Sequence, residues 1–400
     1  MENTFYKNII YKKNAYDDLK TFIKLNYANK NVFLITTKSV PADSVANVFN
    51  ALFAGTENVS QFVARCNFEK DELDLIDEKI KKSKPSIIVS LGGGRCCDVV
   101  KYFAHKCNIN YVVCPTVATS LAYFSGYCVN PYNSTSSFYA KEPTRVFICE
   151  GVIKNSSCLV NINGLCFLHS LRAIYVENIV FDREKDGYIT VGLEKLFKKL
   201  DAEQTNILLC NEDSNLVLMD LFIDFGFFIN NLNLQEYYLI NMYELLCGHE
   251  NNLEQFCGKK MLLCCKAILT LFKEYIELGT LKTLEKNKYS LVANLMNKNN
   301  LLQKNIKNNA FFNNFEQKLC TKRNFLDKRS IIFENVLLQL KSLTAFFASV
   351  KSVYKHGIEI SGNYQPVFNA LMLAPYLFEG SDFTNLIACS GILNCAINVD

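Results

Sequence analysis

The sequence predicts an α/β protein, with a parallel-sheet domain over residues 1–150 and an all-helical domain over residues 151–400. Three observations predict this. Short β-rich runs alternate with amphipathic helical stretches through the first domain, which is the pattern of βαβ units. Residues 86–91 (SIIVSL) form a nearly continuous apolar run between Pro85 and Gly92, as suits a central strand covered on both faces. Beyond Gly151, Leu, Phe, Cys and Ile recur at three- and four-residue spacing and β-branched runs thin out.

The elements follow in order. Residues 31–36 (NVFLIT) read as a strand, and residues 43–53 as a helix with Val45, Val48, Phe49 and Leu52 on one side. Residues 59–64 read as a second strand. Residues 69–82 read as a helix whose stripe is Leu73, Ile76 and Ile80. After the central strand, residues 97–106 are helical, and residues 111–114 form a strand stopped by Pro115. In the second domain, residues 235–246, 260–278 and 331–354 read as helices, and the Lys- and Asn-rich stretch 282–328 as a solvated helical face.

Composition narrows the function classes. The chain has 400 residues, half of them hydrophobic, with a net charge of +4. It can bury large cores and is not of disordered type. The small charge argues against nucleic acid as a partner. No export signal is visible at the start, and no uninterrupted apolar run reaches the ~18 residues of a membrane span. A cytoplasmic location without a membrane span is therefore expected. The 17 cysteines contain no CxxC pair and read as reduced thiols serving as small core hydrophobes.

Gly92-Gly93-Gly94-Arg95-Cys96-Cys97-Asp98 joins the central strand to a helix. Glycines there let backbone come within contact distance of a ligand, and the helix start offers free N–H groups and a positive dipole end to a pyrophosphate. The alternative is a tight strand–helix turn without a ligand. Asp98 is expected in the first turn, where it could cap the helix.

Residues 90–102, with Asp98-Val99-Val100-Lys101, and then Cys114-Pro115-Thr116-Val117-Ala118-Thr119-Ser120 resemble the nucleotide site of the iron-containing alcohol dehydrogenase and dehydroquinate synthase superfamily. Within it, they are most similar to the sn-glycerol-1-phosphate dehydrogenase family. The resemblance is specific over residues 85–126. It is looser at the tail, through Asn369-Ala370-Leu371, Ala374-Pro375 and Phe383-Thr384, with Asp382 at the family's Arg. It implies a Rossmann-like first domain, a helical second domain, NAD(P) as cofactor, and a divalent metal (zinc, iron or nickel). It also implies a small phosphorylated polyol or ketone as substrate, in the reduction of dihydroxyacetone phosphate to sn-glycerol 1-phosphate. It assigns cofactor contacts to Gly92, Gly93, Gly94, Arg95, Asp98, Thr116, Thr119 and Ser125, and leaves a homo-oligomer open.

The chain departs from that pattern where the metal chemistry belongs. The family's metal-binding Asp falls on Phe167 when Gly164 and Leu168 are matched to its Gly-x-Gly-Asp-Leu segment. In the register of the broader alcohol dehydrogenases it falls on Leu165, and His169 takes a His position. Of the two remaining metal ligands, one falls on His249 and the other on Cys257, and the substrate-contacting Asp on Leu121. Two readings follow: an active NAD(P)-dependent oxidoreductase, or a metal-free nucleotide-binding relative, a pseudoenzyme, with a binding or partner-stabilising role. His249 and Cys257, with Cys247 or His169, could also form a softer thiolate–imidazole site. The plain alternative is core cysteines and a hydrogen-bonded core histidine.

Overall fold

The computed structural model describes residues 8–65, 69–132, 137–181, 188–231, 257–278 and 329–353. The chain divides into two compact units, Met1–Leu165 with Thr205–Asn233, and Cys166–Gln204 with Leu234–Asp400.

The first unit is built on a six-stranded parallel sheet. Its strands are β1 (Ile9–Lys12), β2 (Val32–Thr37), β3 (Val59–Ala64), β4 (Ile87–Gly92), β5 (Asn110–Pro115) and β8 (Arg145–Cys149), in the spatial order β1-β8-β5-β4-β2-β3. Helices α1 (Ala15–Tyr27), α2 (Ala42–Gly55), α3 (Lys70–Ser83) and α4 (Gly94–Lys106) connect the strands. A small antiparallel hairpin, β6 (Tyr127–Val129) with β7 (Ser137–Tyr139), lies outside the main sheet. All six residues of β4 are buried, as its apolar run predicts. The stripe Leu73, Ile76 and Ile80 faces inward on α3.

The predicted β2, β3 and β5 and the helices α2 and α3 match within three residues at each end. The α4 helix differs: it begins at Gly94 rather than at residue 97, with Gly93 as its N-cap, so the last glycine of the run opens its first turn. Unforeseen elements are β1, α1, the hairpin and β8. The last sheet strand ends at Cys149, and α5 (Glu150–Lys154) opens the helical stretch.

Helices α6 (Cys158–Ser170), α7 (Arg172–Phe181), α8 (Tyr188–Leu208) and α9 (Glu212–Asn231) follow, then α10 (Cys257–Leu278) and α11 (Arg329–Val353). The last two match the predicted helices 260–278 and 331–354, whereas 235–246 and 282–328 lie outside the described residues. Two helical stretches, Leu159–Val176 and Ser330–Ser352, are apolar and long enough to cross a membrane by length and composition; the first is 83% buried inside the protein and the second 28%. Counting uninterrupted apolar residues does not find them. Cys96, Cys97, Cys114, Cys128, Cys166 and Cys265 are buried free thiols. Burial pushes the Cys97 and Cys265 thiols up to about 12, which leaves them protonated and unreactive at neutral pH.

Candidate functional site

Parallel pairing brings the two sequence motifs together. The β4–β5 register aligns Gly92 with Pro115, and the Thr116 N–H donates to the Gly92 carbonyl at 3.3 Å. On the other side of β4, Thr36 of β2 aligns with Leu91. The chain runs from β2 outward to β3 and then crosses back to β4 and β5. The winding therefore reverses between β2 and β4, and open α/β sheets bind ligands at the carboxyl ends of the strands flanking such a point. Thr37, Gly92–Gly94 and Thr116 all lie at that edge.

The three glycines do different work. A Cβ on Gly92, whose φ is 159°, would meet Cys96 Cβ at 3.0 Å. A Cβ on Gly94 would lie 2.5 Å from Ser120 Oγ, so this glycine lets the helix close on the following loop. A Cβ on Gly93 would meet only Val117 Cγ2, at 3.8 Å. Gly93 is the N-cap residue of α4, without a side-chain cap. Its missing side chain therefore leaves backbone open at a helix start, the geometry that receives a phosphate. Arg95 lies in the first turn and is half-buried.

Asp98 differs from expectation. It is the fifth residue of α4 and not in its first turn, and no side chain caps the helix. It pairs with Lys101, whose Nζ lies 3.5 Å from Asp98 Oδ1. The Lys101 Nζ also donates to the Tyr127 carbonyl at 2.5 Å, and the side chain is fully buried. Burial disfavours its charge, but Cys97 and Asp98 beside it outweigh that and hold its pKa above the ordinary value. Lys101 belongs to the Asp-Val-x-Lys motif, yet the sequence alone does not single it out as a buried cation. Asp98 and Lys101 thus tie α4 to the start of the hairpin.

The loop after β5 is held closely. Thr116 is buried, and Thr119 lies beside the buried Tyr123 hydroxyl. Burial raises the Tyr123 pKa and Thr119 offsets part of that rise. Ser120 Oγ accepts from the Ala122 N–H at 3.1 Å. Ser125, fully buried, accepts from the Tyr127 N–H at 3.0 Å. Two further glycines make room for this loop. A Cβ on Gly164 would lie 2.3 Å from the Ala118 carbonyl, and one on Gly226 would lie 2.8 Å from Phe124 Cβ. Gly164 is matched by sequence to a glycine of the metal segment; in the structure it is the point where α6 touches the nucleotide loop. Leu121, at the family's substrate Asp, is buried in the short 3-10 turn Leu121–Phe124.

In the second unit, His169 lies in α6 and is fully buried. Its Nδ1 accepts from Arg172 Nε at 3.2 Å, and its ring stacks on Phe346 with centroids 4.2 Å apart. Burial and then the Arg172 charge hold its pKa well below the ordinary value, against a smaller opposing effect of Gln204. Phe167 is buried and apolar, as is Leu165 in the first unit, so neither register offers a carboxylate. Among the described residues, no three His, Cys, Asp or Glu gather where they could hold a metal ion. The metal implied by the resemblance does not fit these side chains, because its one described imidazole is bonded to a guanidinium. His249, Cys247 and the Cys257 side chain lie outside the described residues, as does the 369–384 tail.

Comparison with known proteins agrees with the geometry of the first unit. Residues 10–156 match the family model described as iron-containing alcohol dehydrogenase. A glycerol-1-phosphate dehydrogenase [NAD(P)+] of Metallosphaera sedula is 36% identical over 56 residues, 14% of this chain and 16% of that protein. Glycerol dehydrogenase 1 of Schizosaccharomyces pombe is 27% identical over 146 residues, 35% of this chain and 32% of that protein. The aligned segments thus span a third or less of these relatives. The sulfoacetaldehyde reductase of Bifidobacterium kashiwanohense, solved in complex with NAD+, superimposes with a TM-score of 0.59 at 11% identity, covering 98% of this chain and 97% of that one. This last likeness establishes the fold: a parallel-sheet unit and a helical unit. The loop motifs and the sheet lie within the matched residues 10–156, less than half of the chain, and over that stretch the chain is similar to the iron-containing alcohol dehydrogenases.

Proposed function

We propose that the chain binds a nicotinamide dinucleotide at the carboxyl edge of its sheet and is an NAD(P)-dependent oxidoreductase of small polyols or ketones, in the sn-glycerol 1-phosphate and dihydroxyacetone phosphate class. The observation that carries the coenzyme reading is Gly93. It caps a 13-residue helix beside the reversal of the sheet, where an added Cβ would touch only Val117 Cγ2, at 3.8 Å. Free N–H groups and the helix dipole there suit a pyrophosphate. Arg95 in the first turn of α4 and Thr116, bonded to Gly92, adjoin the same loop and support the reading. The substrate class is supported by the relatives' own activities, glycerol and glycerol 1-phosphate oxidation.

The residues at the end of β2 favour NADP(H) over NAD(H). Dinucleotide sites of this architecture read the adenosine ribose with an acid when it is unphosphorylated, and accommodate a 2′-phosphate with a cation. Here the strand ends in Thr37-Lys38-Ser39, with Lys38 exposed and the Thr37 and Ser39 hydroxyls 2.9 Å apart. No carboxylate occurs between Thr37 and Asp43.

A second reading is favoured by Leu121 and Phe167: a coenzyme-binding relative without metal-dependent hydride transfer, acting by binding or by stabilising a partner. One experiment separates the two. Purified protein is titrated with NADPH and NADH, then assayed with dihydroxyacetone phosphate while bound metal is measured. Turnover with stoichiometric metal supports the dehydrogenase. Coenzyme binding without turnover selects the second reading, and absence of coenzyme binding by folded protein refutes both.

A further inference from the structure

Arg172 is one of seven arginines in the chain, and it is among the largest fully buried side chains. Its guanidinium is engaged on every side. Nη2 donates to Asp201 Oδ1 at 2.5 Å, Nη1 donates to Gln339 Oε1, and Nε donates to His169 Nδ1 at 3.2 Å. The group lies over the Phe197 ring, 4.6 Å from its centroid. The second oxygen of Asp201 accepts from Ser342 Oγ at 3.2 Å. One planar cation thus joins side chains of α6, α8 and α11 to α7. A lysine could not reproduce this, because its ammonium lacks the fixed fork of donors.

A metal-binding imidazole offers a bare nitrogen lone pair to the ion. His169 spends its Nδ1 lone pair on Arg172, so the ring proton sits on Nε2. That nitrogen and Gln204 Oε1 are both buried without a hydrogen-bond partner, so Nε2 presents a proton to its surroundings rather than a lone pair to an ion. A divalent cation approaching the ring at Nδ1 would also have to displace the Arg172 guanidinium, whose Nε lies 3.2 Å away.

We propose that the Arg172 guanidinium is the resident cation of the helical unit. It organises the carboxylate, amide and imidazole groups around it and excludes His169 from any metal site. This inference stands apart from the coenzyme reading, since it concerns only the second unit.

The test uses the full chain with labelled histidine, which gives four imidazoles, and His169→Gln to identify the His169 signals. Long-range proton–nitrogen spectra should show His169 as one neutral form, with the proton on Nε2 and Nδ1 accepting. Stoichiometric zinc should leave those signals in place. In Arg172→Lys, His169 should lose that single form. Zinc-induced shifts of His169, or a metal held by the wild type and lost from His169→Gln, would overturn the proposal. So would an unchanged His169 tautomer in a folded Arg172→Lys protein. A metal retained equally by wild type and His169→Gln supports it, because the ion then lies elsewhere. If Arg172→Lys fails to fold, the wild type and His169→Gln comparison still decides.

Discussion

The two units respond differently to the same ancestry. In the first, the glycine loop and the Pro-Thr block sit where parallel strands of a dinucleotide-binding sheet must place them, with Gly92 registered against Pro115. In the second, the positions expected to carry metal ligands hold a buried Phe167 and a His169 bonded to Arg172. The difference shows which part of a shared fold is fixed by backbone geometry and which by side-chain chemistry. A phosphate cradle made of main-chain N–H groups survives wide sequence change as long as its glycines stay. A metal site made of three side chains is lost with one or two substitutions.

The largest effect should come from the second unit. Arg172→Met removes the cation and strands Asp201, Gln339 and His169. Breaking a buried pair in this way costs about 3–5 kcal/mol, and about 3 is expected here because Asp201 keeps some water. Circular dichroism during urea unfolding should show a lower midpoint for helix loss. An unchanged midpoint would deny Arg172 its organising place.

Next comes Gly164→Ala in the first unit. Its Cβ would press on the Ala118 carbonyl, a backbone atom with nowhere to move, and overpacking of that kind costs about 1–3 kcal/mol. We expect a clear drop in melting temperature together with weaker coenzyme binding, because the loop that carries Thr116 and Thr119 is displaced. Gly93→Val should separate those two effects. Its Cβ would meet only Val117 Cγ2 at an ordinary 3.8 Å, so stability should change by less than about 0.5 kcal/mol, while NADPH affinity falls at least about tenfold, or 1.4 kcal/mol. Normal affinity in a calorimetric titration would remove the glycine loop from the site.

Acid should separate the units more gently. The folded pKa of His169 is depressed, so below the unfolded value of about 6.5 the unfolded chain takes up a proton that the folded one refuses. Stability of the helical unit should therefore fall with pH from about 6.5 downward, and His169→Gln should abolish that slope. In the first unit, burial of Asp77 raises its pKa, but hydrogen bonds from Lys81 and Lys106 outweigh this and leave it lowered. Its contribution is present above the unfolded carboxylate value of about 4 and is lost as pH falls through the folded value. Loss of helix and loss of sheet signal in one common acid transition would contradict this separation.

Much of the first unit was legible because strand and helix periods are local. The apolar run in β4 and the Leu73, Ile76, Ile80 stripe of α3 each announce their own burial. The β1 strand was missed because residues 9–12 are only half-covered at a sheet edge and carry a lysine. The start of α4 was misplaced because glycines argue against helix, although here Gly93 caps it and Gly94 is its first residue. At the candidate site, the motif spacing located the loop. It could not reveal that Gly94 and Gly164 serve packing while Gly93 alone stays open, because that depends on Ser120 and Ala118 brought close by the fold. Arg172 left one faint signal, a rare arginine at the start of an apolar helix, but its partners Asp201 and Gln339 are distant in sequence.

The proposed dinucleotide site of the sheet unit rests on main chain at the start of α4 and calls for no metal. Calorimetric titration of chelator-treated protein with NADPH, wild type beside Gly93→Val, tests it most directly. The account predicts stoichiometric binding by the wild type, unaltered by removal of metal, and its loss in a Gly93→Val protein of unchanged melting temperature. Binding that appears only when metal is restored, or that Gly93→Val leaves intact, would contradict it.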